Sequence, residues 1–283
     1  MSDMPPTVAG VMAECRAMGV DRLDAQRLLA RTLDRPRSWL LAHDDAGLTA
    51  AQWAALRADL LRRAGGEPLA YIVGQQEFHG LSLQVTPDVL VPRPDTEVLV
   101  DWALALLGAG LLGAGLAGAE QPTVADLGTG SGAIALAVKN GHPSAAVTAS
   151  DASPAALAVA QANARRLGLH IEMLAGSWWA PFAGRRFHLV LSNPPYIAAG
   201  DAHLPALRHE PTIALTPGGD GLNALRAITG GAASHLEPGG WLLLEHGFDQ
   251  HEAVQELLRE QGFADVQTRI DLGGQPRCTG GHR

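Results

Sequence analysis

A single lysine, Lys139, stands in a chain of 283 residues; of its 21 basic residues all the others are arginines, spread without a stripe or cluster. With 29 acidic residues the net charge is −8. Attraction to phosphates carries most non-specific affinity for DNA, so a dedicated duplex binder is disfavoured and no stable nucleic-acid partner is expected. Cysteine is nearly absent. Cys15 and Cys278 are too few for a disulfide framework and lack zinc-site spacing. The eleven histidines are scattered, so no metal is expected. The opening MSDMPPTVAG has no basic segment followed by an apolar run, so no secretory signal is read and a cytoplasmic protein is expected. What is plentiful is apolar: 47% of residues, with 33 Gly and 18 Pro dispersed among them. That composition excludes a disordered chain and suffices for one or two packed domains.

One apolar run, Val98 to Ala119, is long enough to span a bilayer. Asp101 within it would be costly in lipid, and no Lys/Arg cluster flanks it. Gly108, Gly110, Gly113, Gly115 and Gly118 each weaken a helix by roughly 1 kcal/mol. The run therefore reads as a buried helix, about Thr96 to Leu107, followed by a Gly/Ala/Leu-rich connector. No membrane association is expected.

Residues 1–75 read as a helical bundle. Asp21 caps a segment with Leu23, Leu28, Leu29 and Leu33 on one side, and Thr49 precedes a helix carrying Trp53, Leu56, Leu60 and Leu61. Residues 76–90 read as a β-hairpin linker, with a Gly turn inside EFHGLSLQVT. VPRPDTE at 91–97 is too proline-rich for helix before Asp95 or Thr96, either of which is a suitable cap. Residues 91–283 form the third segment. Strands are predicted at Val124–Asp126, Ala146–Ser150, Ile171–Leu174, His188–Ser192, Trp241–Glu245 and Asp265–Ile270, with a last strand after a Gly-rich loop. Helices are predicted at Ala133–Lys139, Pro154–Leu167, Gly221–His235 and Asp249–Gln261. This alternation implies an α/β fold with a parallel, doubly wound sheet and ligands at its C-terminal edge.

The first strand runs into Asp126-Leu127-Gly128-Thr129-Gly130-Ser131-Gly132-Ala133. Gly128, Gly130 and Ala133 satisfy the G-x-G-x-x-G/A pattern, in which glycines allow a tight turn and close approach of a ligand. Asp151, at the end of the second strand, stands where an acid binds ribose hydroxyls. Loop and acid fit NAD and equally fit the adenosyl group of S-adenosylmethionine. Two features separate these. Asp126, just before the glycines, suits a cationic amino-acid moiety and would repel a pyrophosphate. Ser192-Asn193-Pro194-Pro195-Tyr196 follows a hydrophobic strand, and its prolines fix the backbone while leaving carbonyls free as acceptors.

DLGTGSGAIAL followed by SNPPYI resembles S-adenosylmethionine-dependent methyltransferases acting on amide or exocyclic amino nitrogens. VPRPDTE and LLLEHG (242–247), with the helical N-terminal region, narrow the resemblance to the release-factor glutamine methyltransferase family (PrmC, or HemK). It covers the chain from the bundle to the final strand. It implies a Rossmann-like methyltransferase sheet, a small N-terminal bundle for substrate recognition, and a monomer whose partners are peptide-chain release factors. The implied reaction is N5-methylation of the glutamine in a Gly-Gly-Gln loop. Glutamine methylation of a ribosomal protein and adenine-N6 methylation of nucleic acid are the alternatives.

The resemblance assigns S-adenosylmethionine to Asp126, Gly128, Thr129, Gly130, Ser131, Gly132, Asp151, Trp178 and Asn193, with Trp179 competing for the role of Trp178. It assigns the substrate amide to Asn193, Pro194, Pro195 and Tyr196. There the Asn193 side-chain oxygen and the Pro194 carbonyl accept the two amide hydrogens, and Tyr196 packs on the amide plane. Arg93, Glu97, Glu245 and Phe78 lie near the site by the same analogy, as scaffold or core; His246 follows Glu245, and Glu210-Pro211 helps shape an entrance. Gly273-Gly274-Gln275 repeats the substrate tripeptide, read as coincidence in a Gly-rich loop.

Overall fold

The computed structural model describes residues 6–108 and 121–283. The part of the connector at 109–120 lies outside the described residues. Among the described residues no helix is long and apolar enough to cross a membrane. The chain divides into two compact units, Met1–Gly74 and Gln75–Arg283.

The first unit is helical: α1 (Val8–Ala17), α2 (Arg22–Leu33), α3 (Arg37–Leu40), α4 (Ala50–Ala64) and α5 (Leu69–Val73). Its starts are written locally. Asp21 accepts from the Leu23 and Asp24 amides ahead of α2, and Thr49 with Gln52 closes a capping box on α4. Val11, Leu28, Leu29, Leu56 and Leu60 are buried at its centre. Leu23 and Leu61, expected on the apolar faces, are instead exposed.

The second unit begins with a hairpin, β1 (Gln75–Phe78) and β2 (Leu81–Gln84). His79 and Gly80 both have positive φ in its two-residue turn, the geometry that matches strand twist. A 3-10 turn, Pro94–Thr96, leads into α6 (Glu97–Gly108). Then follow β3 (Thr123–Leu127), α7 (Ala133–Gly141), β4 (Ala146–Asp151), α8 (Pro154–Leu167), β5 (Glu172–Ala175) and β6 (Phe187–Ser192). The short α9 (Thr212–Leu215), α10 (Asn223–His235), β7 (Leu236–Glu245), α11 (His251–Glu260), β8 (Ala264–Ile270) and β9 (Pro276–His282) complete it.

The sheet order is β5-β4-β3-β6-β7-β9-β8. β3, β4, β5, β6 and β7 pair in parallel, but β9 runs antiparallel to both β7 and β8. The all-parallel expectation is corrected there. A tight loop joins β8 to β9, so the return strand must reverse, and it takes the place between β7 and β8. Gly280 makes that fit possible, because a Cβ there would stand 2.4 Å from Leu243 and 3.2 Å from Trp102.

Strand alternation assigns the two faces. Leu189, Leu191 and Leu243 join Trp102 and Leu136 on one side. Val190, Leu242 and Leu244 join Leu225, Val254 and Leu258 on the other. Each such side chain contributes roughly 1.5–3 kcal/mol on burial, and helices on both faces leave the C-terminal strand ends as the place for a ligand.

Candidate active site

The glycine loop leaves β3 with Gly128, Gly130 and Gly132 at φ 74°, 55° and 83°, where a side chain would be strained. Gly128 N and Thr129 N both donate to Ser150 O at 2.9 Å. Gly130 N donates to Asp151 Oδ2 at 2.8 Å, and Ser153 N donates to Asp151 Oδ1 at 2.8 Å. The acid at the end of β4 thus holds the middle of the loop. α7 starts directly behind it, with its N-terminal amides directed toward the loop.

A cavity of about 420 Å³ opens at the ends of β3, β4 and β6, within the size range of small-molecule sites. Of the residues singled out from sequence, Gly128, Thr129, Gly130, Ser131, Asp151, Trp178, Asn193 and Pro195 line it, together with Phe78 and Arg93. Asp126, Gly132, Pro194 and Tyr196 are not part of that lining. Gly132 serves packing, since a Cβ there would meet Leu136 at 3.0 Å and Ala160 at 3.2 Å.

Asp126 lies beneath the loop with no exposed surface. Its Oδ2 accepts from Thr129 Oγ1 at 2.6 Å and Ala135 N at 3.2 Å, while Oδ1 has no partner. Burial pushes its carboxyl up to about 7, against the pull of the Thr129 hydroxyl and the Ala135 amide.

The adjacent tryptophans part company. Trp178, at φ 48°, lines the cavity and would stand 3.6 Å from a Cβ on Gly128. Trp179 turns into the protein, where Nε1 donates to Ile228 O at 3.0 Å and the ring stacks on His235 at 4.7 Å.

Asn193 follows β6, and its Nδ2 donates to Thr96 Oγ1 at 3.1 Å. Tyr196 turns inward: its hydroxyl donates to Glu245 Oε1 at 3.3 Å, and its carbonyl accepts from Gln250 Nε2 at 2.9 Å. Burial raises the Tyr196 phenol well above its usual range. Arg93 ion-pairs with buried Glu210, whose Oε2 also accepts from Val91 N at 3.1 Å. Glu97 accepts from His79 N at 2.9 Å and so ties the hairpin to α6. His246 is buried between Gly247 O and Thr279. Burial lowers its pKa to about 4, leaving it neutral and structural. Gln275 is exposed in the β8–β9 turn. Among the described residues no group of acidic, His and Cys side chains could hold a metal.

Thr96, a helix-cap candidate by sequence, instead accepts from Asn193 Nδ2. The only signal was its place within VPRPDTE. Ile213 and Asn223, from the segment after β6, also line the cavity, and no local pattern points to either.

The sequence model of the methyltransferase small domain matches residues 106–268, and that of the PrmC N-terminal domain matches 13–74. A release factor glutamine methyltransferase of Bordetella pertussis is 50% identical over 267 residues, covering 93% of this chain and 96% of that one. Its counterpart in Pseudomonas aeruginosa is 46% identical over 267 residues, 91% of each. The chain belongs to the release factor glutamine methyltransferase family.

Solved structures share its fold at low identity. The hMettl16 catalytic domain in complex with an RNA hairpin superposes with a TM-score of 0.57, at 14% identity, covering 81% of this chain and 79% of that one. A T. thermophilus 16S rRNA methyltransferase in complex with AdoMet and guanosine gives 0.53 at 20% identity, covering 74% and 49%.

The cofactor of this family, S-adenosylmethionine, fits the residues present. The glycine loop leaves a cradle that Cβ atoms would fill; Asp151, on the lining, would offer its carboxylate to ribose hydroxyls, and Trp178 would offer an aromatic face. Asp126, expected to touch the cofactor, instead lies beneath the loop and off the cavity lining, with its Oδ1 unpaired.

Proposed function

We propose that this chain methylates the side-chain amide nitrogen (N5) of a glutamine in peptide-chain release factors, within their Gly-Gly-Gln loop, using S-adenosylmethionine. The observation that carries the reading is Asn193. Its Nδ2 is committed to Thr96, so its Oδ1 is the half of the amide left to accept from a substrate NH2 in the cavity it lines.

An amide nitrogen is a poor nucleophile because its lone pair is delocalised into the carbonyl. Asn193 Oδ1 and the Pro194 carbonyl would accept its two hydrogens and aim the lone pair, and the flanking prolines would hold both acceptors still. Bound S-adenosylmethionine supplies a methyl group already activated by the positive charge on its sulfur. The chain's work is orientation and electrostatic stabilisation. Tyr196, tied to Glu245, supports the turn from behind.

The same reading makes the helical unit the part that recognises the protein substrate. It also takes the enzyme to act as a monomer in the cytoplasm without stable nucleic acid. Support for the first is the match of the PrmC N-terminal domain model to residues 13–74, and for the absence of nucleic acid the net charge of −8 with one lysine.

The test incubates the protein with labelled S-adenosylmethionine and a release factor, beside a factor with its loop glutamine replaced. Label on the first alone is expected, and equal labelling of both would overturn the glutamine assignment. Labelling of DNA would favour an adenine-N6 reading instead. Asn193→Ala should abolish transfer while leaving cofactor binding largely intact; near-normal turnover by that variant would rule out the role given to Asn193.

A further inference from the structure

The charge of this chain is not shared between its two units. Met1–Gly74 holds nine acidic and nine basic residues, whereas Gln75–Arg283 holds twenty acidic and twelve basic. The whole net charge of −8 therefore belongs to the unit that carries the cavity. Within that unit the two signs lean to opposite ends of the strands. Lys139, Arg165, Arg166, Arg185, Arg186 and Arg259 stand where helices end or just before strands begin, at the N-terminal edge of the parallel strands. At the C-terminal edge stand Asp88 on the cavity lining, Asp201 and Asp220 after β6, and Asp249 after β7. Three arginines of that edge, Arg93, Arg226 and Arg277, are paired with Glu210, Asp220 and Asp271.

The same edge gathers the exposed apolar bulk. Among the described residues of Gln75–Arg283 the large hydrophobics left exposed are Ile213, Phe248, Ile270 and Leu272. Ile213 lines the cavity, Phe248 follows β7, and Ile270 and Leu272 close β8 and enter the β8–β9 turn. β8 runs parallel to β7 because both oppose β9. All four residues therefore stand at the strand ends where the cavity opens. The turn adjoins the loop after β7: His246 N donates to Arg277 O at 3.0 Å, and Ile270 pairs with Pro276, the residue before Arg277. Leu272 is fully exposed, in a turn of the kind usually filled by glycine and polar residues. Single exposed apolar residues need no explanation, but four confined to the edge that holds the site mark a contact surface.

We infer that this edge, from Ile213 at the cavity mouth to Phe248 and Leu272 beyond β7, is the docking face for the protein substrate. It takes a surface that presents basic side chains around an apolar centre, on the part of the release factor that bears the glutamine loop. The inference rests on the substrate reading above. The cavity, at about 420 Å³, is of small-molecule size, whereas a specific protein contact spreads over roughly 800 Å² per partner. A protein substrate must therefore lie on surface beyond the mouth. A second copy of this chain is a poor occupant, because a two-fold contact sets one patch against itself and would bring its carboxylates together. Phosphates of a nucleic acid meet the same repulsion.

Such a face acts on encounter and residence rather than on chemistry. Carboxylates that draw a basic surface speed association and make it salt-dependent. Apolar side chains that become buried in the contact slow dissociation. Phe248, Asp249 and Leu272 all stand off the cavity lining, so their effect belongs in KM.

The experiment measures kcat and KM on a release factor for Phe248→Ser, Leu272→Asp, Asp249→Lys and Arg259→Glu, with cofactor Kd by calorimetry and sedimentation of the wild type. The first three should each raise KM by about 5- to 20-fold, the range of a contact that matters in an interface. Their kcat and cofactor Kd should stay within about twofold of wild type. Arg259→Glu, at the far edge, should match the wild type. Wild-type KM should rise several-fold between about 50 and 300 mM salt, and less steeply in Asp249→Lys. Unchanged KM in Phe248→Ser or Leu272→Asp overturns the docking face, as does an equal rise in Arg259→Glu. Unchanged KM in Asp249→Lys, or a KM that falls with salt, overturns the basic character of the partner. A wild-type dimer that Leu272→Asp dissolves gives the face to a second copy and overturns the inference as well. If the wild type leaves the release factor unlabelled, the substrate reading itself fails, and the docking face falls with it.

Discussion

Asp151 Oδ2 accepts a hydrogen bond from Gly130 N at 2.8 Å, so one carboxylate both shapes the glycine loop and faces the cavity. Its second oxygen takes the Ser153 amide just ahead of α8.

Asp151→Ala removes the loop anchor and the proposed ribose acceptor together. Hydrogen bonds to a charged group contribute about 1.5–3 kcal/mol each, so cofactor Kd should rise by about 10- to 100-fold, measured by calorimetry. A Kd within about twofold of wild type would detach Asp151 from cofactor binding.

The two tryptophans should separate cleanly. Trp178→Ala is expected to weaken cofactor binding by about 10-fold, an aromatic contact's worth, with little change in melting temperature. Trp179→Ala should do the reverse, losing its bond to Ile228 O and its stack on His235, at about 1–3 kcal/mol of stability. Gly231→Ala should mimic Trp179→Ala, because a Cβ there would sit 2.2 Å from the Trp179 ring. Swapped effects would reverse the assignment.

Gly130→Ala and Gly132→Ala test the loop from two sides. Both positions have positive φ, which costs about 1 kcal/mol or more for alanine. Only Gly132 also has neighbours in the way, Leu136 and Ala160. Gly132→Ala should therefore melt lower than Gly130→Ala by several degrees, at about 2–4 °C per kcal/mol. Equal melting temperatures would show that the α7–α8 contact yields freely.

Stability should fall as pH rises through neutrality. Asp126 and Glu245 both have carboxyls raised to about 7 by burial, from ordinary values of 3.8 and 4.5. Between those limits the folded chain holds protons that the unfolded chain has released, so each group contributes stability at low pH that is lost as pH climbs toward its folded value. The slope is at most about 1.4 kcal/mol per pH unit per group. Melting temperatures from pH 5 to 8 should decline, and Asp126→Asn or Glu245→Gln should flatten the curve. Asp201, Asp220 and Asp271 are shifted down instead; their contribution is lost only as pH falls through the range below about 4, outside this window. A slope unchanged by either substitution would refute the attribution.

Much of this molecule was legible because its signals are local. Asp21 and Thr49 cap the helices they announce, and β6 runs into Asn193 where the apolar stretch ends. The glycine loop and Asp151 meet because successive parallel strands place their C-terminal ends side by side. What escaped depends on distant pairing. Thr96 bonds to Asn193 from far back in the chain, which no spacing rule reaches, and its position before α6 suggested a cap. β9 lies antiparallel in a sheet otherwise read as parallel, and its Gly280–Gly281 pair resembles a loop until Trp102 and Leu243 fill the space above it. Tyr196 carries the same lesson: its motif points to the substrate, whereas its hydroxyl points to Glu245.

The sheet order also has a kinetic meaning. β8 precedes β9 in the chain, yet it reaches β7 only through β9. The cheapest route is for β8 and β9 to close first as a local hairpin, which costs little loop entropy, and then to dock as a pair. Pulse-labelling hydrogen exchange should show the amides of both strands gaining protection together, and earlier protection of β8 would exclude that route. Arg277 travels at the head of β9. On that route the cation beside Glu245 arrives with the docking β8–β9 pair rather than with β7.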